Sequence, residues 1–86
     1  MTYKIIITKK ALKGMSQIPK TDLERIRCKM KELAENPRPR WIKKLKGHQA
    51  FRVAVGDYRI IFEISDADNL ISIITVDHRK CVYRDF

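Results

Sequence analysis

The chain has 86 residues, with 19 Lys and Arg against 10 Asp and Glu, a formal charge of +9, and 44% hydrophobic residues. That length makes one domain spanning residues 1–86 the default, and no apolar run approaches the roughly 18 residues needed to span a bilayer. A basic excess of this size on a small domain points to a polyanion, above all nucleic acid; the alternatives are a solvated basic surface or one matched to an acidic protein partner.

The first ten residues, MTYKIIITKK, have neither the apolar core length nor the small-residue cleavage site of a secretory signal. A cytoplasmic protein is therefore expected, with Cys28 and Cys81 as reduced thiols that serve packing. TYKIIIT reads as a strand, being a short apolar run rich in β-branched residues. Thr8 can cap a short helix through KKALKGMSQI, where Leu12, Met15 and Ile18 recur at helical spacing. Gly14 weakens that helix and Pro19 ends it. Thr21 with Glu24 forms a T-x-x-E capping box for a second helix, along which Leu23, Ile26, Met30 and Leu33 make one apolar stripe. Pro37 stops this helix at about Asn36.

NPRPRWIKKLKGHQ is expected as a loop or irregular arm. From Asn36 to Arg52 it holds no acidic residue, yet it carries Arg38, Arg40, Lys43, Lys44 and Lys46. Its single Trp41 reads as an anchor for the arm rather than as a base-stacking platform. FRVAVGDYRIIFEI then alternates apolar and polar about Gly56-Asp57, as a hairpin with a two-residue type II′ turn. In that register Phe51, Val53 and Val55 face Phe62, Ile60 and Tyr58 on the core side. The other side sets Ala54 across from Arg59 and Arg52 across from Ile61. SDADN is a five-residue connection and LISIITV the last strand. Pairing Ile64 with Leu70 would put Arg59 across from Thr75 and gather Arg52, Arg59 and Arg79 on one cationic face. The order β-α-α-β-β-β predicts an α+β domain: a small twisted antiparallel sheet with both helices packed on one face.

No phosphate loop, zinc-protease motif or hydrolase nucleophile elbow is present, and no metal or other cofactor is called for. What remains is Arg, Lys and Tyr. Such a set suits RNA cleavage through the ribose 2′-OH, because guanidinium groups can stabilise the charge that builds on phosphate. The attacking hydroxyl needs a base, and Tyr83 has Arg79, Lys80 and Arg84 as chain neighbours that would lower its pKa. His78 is either structural or an acid–base group. Lys43, Lys44 and Lys46 suit RNA phosphate contacts. A solvated cross-strand role remains the plain reading of Arg59.

KKLKG, RVAVGDYRIIFEI and the closing HRKCVY together resemble the RelE/ParE superfamily of toxins from type II toxin–antitoxin systems. The likeness runs from the first strand through Tyr83. It implies a RelE-like mRNA interferase, a ribosome-dependent endoribonuclease that inhibits translation by cutting mRNA and is held in check by a cognate antitoxin in a hetero-oligomer. It also implies roles for particular residues: Arg52 holding the substrate phosphate, Arg59 stabilising the transition state, Arg79 as general acid or phosphate contact, and Tyr83 as general base or stacking ring. RelE enzymes carry a second lysine two positions after the first basic residue of the hairpin, where this chain has Ala54. Lys44, Lys46 and His78 are the basic groups at hand to replace it. Two other outcomes stay open: a ParE-like poison of DNA gyrase without nuclease chemistry, and a non-toxic member that only binds an antitoxin.

Overall fold

The computed structural model describes residues 2–45, 47 and 49–78. Its elements run β1 (Lys4–Ile7), α1 (Lys9–Met15), α2 (Lys20–Glu35), β2 (Lys43–Lys44), β3 (Phe51–Val55), β4 (Tyr58–Ser65) and β5 (Leu70–His78). The five strands form one sheet in the order β1-β5-β4-β3-β2. This is the expected α+β arrangement, with two differences. The arm contributes the short strand β2, which pairs with β3. And β1 joins β5 in parallel, so the sheet is mixed. A strand followed by two helices reaches its partner through a long connection, and such a connection leaves strand direction open in a way a hairpin does not.

Alternation builds the core. Val53, Val55, Ile60 and Phe62 from the hairpin meet Ile71, Ile73 and Val76 of β5. Ala11 and Met15 of α1, with Ile26, Met30 and Leu33 of α2, close over them in the same cluster. Both helices therefore cover one face of the sheet. Leu12, expected on the apolar side of α1, is instead 53% exposed. Thr8 does cap α1, accepting a hydrogen bond from the Ala11 amide at 3.2 Å. The capping box of α2 does not form. That helix starts one residue before Thr21, with Pro19 at its N-cap and no side-chain capping bond. Proline fixes φ near −65° and so pre-organises the entry, which moves Thr21 into the first turn.

Gly14 does more than weaken its helix. A Cβ at that position would overlap the backbone carbonyl of Val76, so glycine permits α1 to lie directly on β5. Cys28, read as a packing residue, is exposed on α2. Cys81 lies outside the described residues.

Candidate functional site

The β3–β4 hairpin has the expected register throughout: Phe51 pairs with Phe62, Arg52 with Ile61, Val53 with Ile60, Ala54 with Arg59 and Val55 with Tyr58. The turn depends on Gly56, whose φ of 60° lies in the region L side chains avoid. Arg52 and Arg59 therefore leave the sheet on the side away from the helices.

The register of β5 differs from expectation, because Ser65 rather than Ile64 pairs with Leu70. The connection is thus four residues long, closed by Asn69 at φ 50°. On its own, this one-residue slip would turn the far end of β5 over. An irregularity between Ile61 and Phe62 adds a second step, since Phe62 faces Ile73 while Ile61 faces Thr75. Two single-residue shifts restore the original face. Arg59 consequently lies opposite Asp77 instead of Thr75, on the side expected for it.

That side is less uniformly cationic than alternation suggests. Ile61 is fully buried there and Ala50 is 4% exposed, with Leu45 and Ile74 packed against them. Ile74, the residue skipped by the irregular pairing, fills this second small apolar cluster. The Leu45 amide donates to the Ala50 carbonyl at 2.9 Å. Beside this apolar floor lies a cleft of about 160 Å³, lined by Trp41, Lys43, Arg52, Val53, Ala54 and Arg59.

Three cations meet at the cleft by different routes. Lys43 of β2 pairs directly across from Arg52, which sets two like charges on neighbouring strands. Arg59 is half-buried, and its guanidinium Nη1 donates to the Gly56 and Tyr58 carbonyls, each at 3.0 Å. These bonds fix the head group through neutral carbonyls, and Asp77 of β5 is the acidic residue across from it. Lys44 faces Phe51 and so belongs to the helix-bearing side of the sheet. His78 faces Tyr58, with the two rings edge-to-face at 5.8 Å. Alternation thus sets His78 on the side away from Arg59. Arg79, Tyr83 and Lys46 lie outside the described residues.

Two contacts hold the arm. Lys29 of α2 places its Nζ 4.3 Å from the centre of the Trp41 ring. At the arm's start, Arg38 makes a bidentate pair with Asp66, 2.9 Å on each branch, and the Tyr3 hydroxyl donates to the same carboxylate at 2.6 Å. Arg38, and after it Tyr3, stabilises the charged form of Asp66 and holds its pKa at about 2. The same bond raises the pKa of Tyr3. This clamp joins the residue just before β1, the arm and the β4–β5 connection. Its members are 28 and 63 positions apart in the chain, and nothing in their local spacing announces it.

The chain matches, over residues 5–83, the family described as ParE toxin of type II toxin–antitoxin system, parDE. It belongs to that toxin family, within the RelE/ParE superfamily. The archaeal RelE–RelB complex from Pyrococcus horikoshii OT3 contains a chain 30% identical to it, with a TM-score of 0.82, covering 95% of this chain and 100% of that one. A relative from Methanocaldococcus jannaschii that bears the name toxin RelE1 is 28% identical over 89 residues, 99% of each chain. The free E. coli toxin RelE, in a mutant form, shares the fold with a TM-score of 0.82 at 21% identity, covering 95% of this chain and 88% of that one.

Proposed function

We propose that this toxin is a RelE-like mRNA interferase that cleaves mRNA on the ribosome and so halts translation. The observation that carries the reading is the cleft where Lys43, Arg52 and Arg59 converge on the helix-free side of the sheet. Its size and charge suit one phosphate with its flanking sugar. In the reaction the ribose 2′-OH attacks the adjacent phosphorus, the bond to the 5′-oxygen breaks, and a 2′,3′-cyclic phosphate remains. Arg52 and Lys43 hold the phosphate, and Arg59 meets the charge that grows on its oxygens. Tyr83 takes the 2′-OH proton and Arg79 protonates the leaving 5′-oxygen, following the family pattern in the closing motif. No metal is required, since guanidinium groups supply the charge stabilisation.

The neighbouring RelE–RelB complexes support a cognate antitoxin as partner. Such a segment would be acidic or amphipathic and fold onto the basic toxin, masking the cleft. The test of cleavage is cell-free translation followed by primer extension on the message. New 5′ ends that require ribosomes are expected; their absence, with folded protein, contradicts the proposal.

A second reading has its own support. The matching family carries the ParE name, and Ala54 stands on the cleft wall where RelE ribonucleases have a lysine. A gyrase poison would produce DNA breaks and filamentous cells while leaving mRNA intact.

A further inference from the structure

We infer that Trp41 is a nucleobase platform, so that the cleft binds single-stranded RNA by a base as well as by a phosphate. The inference rests on the RNA reading of the cleft and adds the feature that would distinguish a nucleotide from any other anion.

Trp41 is the chain's single tryptophan and is 40% exposed, one of few large apolar side chains left in contact with solvent. Among the described residues it is the one aromatic ring on the cleft wall, beside Lys43, Arg52 and Arg59. Phe51 and Phe62 stack on each other, at 5.8 Å, on the helix-bearing side, and Tyr58 pairs with His78. None of them is available to the cleft. An indole needed only to anchor the arm would gain most by full burial. Here one ring is instead engaged by the Lys29 ammonium at 4.3 Å while much of its surface stays open. That contact orients the ring, and the Arg38–Asp66 pair fixes the chain three residues earlier. A held, half-open ring beside a phosphate-sized cluster of cations is the combination that single-strand binding proteins use, with cations tracking the backbone and aromatic faces taking bases. The apolar cluster of Ala50 and Ile61 lies on the same side of the sheet, which keeps competing water from part of the cleft surroundings.

Because the chain has one tryptophan, its intrinsic fluorescence reports on this ring alone. The experiment titrates the full chain, at low salt, with a dye-labelled oligoadenylate of about ten nucleotides, a single-strand site length. Label anisotropy follows binding while fluorescence follows Trp41. An abasic strand of equal charge and a polyglutamate peptide serve as comparison ligands. Quenching by oligoadenylate but not by the abasic strand is expected. Trp41→Ala should weaken oligoadenylate binding by about 5- to 100-fold and leave abasic binding unchanged, whereas Trp41→Phe should retain most of the affinity. Circular dichroism of both variants checks folding, and the contrast in wild-type quenching between oligoadenylate and the abasic strand carries the test if the Ala variant unfolds.

Binding without quenching, or an unchanged affinity in folded Trp41→Ala, overturns the inference. So does quenching by the peptide alone, which would assign the ring to a protein partner, and so does a failure of oligoadenylate to bind. The ribosome-dependent cleavage assay decides the broader reading separately, because new 5′ ends with an unquenched Trp41 would leave the nuclease standing and remove only the platform.

Discussion

The two sides of the β3–β4 hairpin are built from the same two strands and follow opposite rules. On the helix side Val53, Val55, Ile60 and Phe62 are at most 6% exposed and belong to one continuous core. On the other side Arg52, Ala54 and Arg59 line an open cleft. The first side maximises contact and tolerates no charge. The second gathers cations at an open cleft, a charge distribution that suits an anion. Stability and activity are therefore separable on this hairpin, residue by residue along each strand.

The largest expected effect lies on the packed side. Phe62→Ala should lower unfolding free energy by about 3–5 kcal/mol through a core cavity, measured by urea denaturation. For a domain of this size that approaches the whole margin. Next comes the open side. Arg59→Ala should reduce cleavage by about a hundredfold or more, while its urea midpoint moves by less than about 0.5 kcal/mol equivalent. A loss of folding comparable to that of Phe62→Ala would erase the distinction between the two sides. Gly14→Ala should cost about 1–3 kcal/mol, since α1 must lift from the Val76 carbonyl, and should leave the cleft chemistry intact in whatever fraction stays folded.

The smallest effect concerns the clamp. Asp66 has its pKa depressed from the usual 3.8 to about 2. Its contribution is thus present above the ordinary carboxylate range and is lost as pH falls through about 2. Asp66→Asn should remove that acid dependence, seen by comparing urea midpoints of the two proteins between about pH 5 and pH 2. Because the pair is exposed, the change should also shrink with added salt.

Much of this was legible in the chain itself, for identifiable reasons. Period-two alternation and a glycine able to take positive φ set the hairpin register, and with it the side on which Arg52 and Arg59 emerge. The T-x-x-E signal misled because Pro19 offers an equally good helix start two residues earlier. β2 was not visible: two lysines in a basic arm have no strand propensity, and only their pairing with β3 makes them a strand. The second apolar cluster depends on the irregularity at Ile61 and Phe62, which no residue type marks. Gly14 is instructive in another way. Helix propensity accounts for its cost, but its purpose appears only where α1 meets β5.

The most direct test of the central claim is a double-mutant cycle on ribosome-dependent cleavage, with Arg52→Ala, Arg59→Ala and the pair. If both arginines act on one phosphate in the cleft, their effects are coupled, and the double variant should lose distinctly less than the product of the single losses. Losses that multiply to within about 0.5 kcal/mol would place the two residues in separate tasks. Full cleavage in either folded single variant would contradict the account outright.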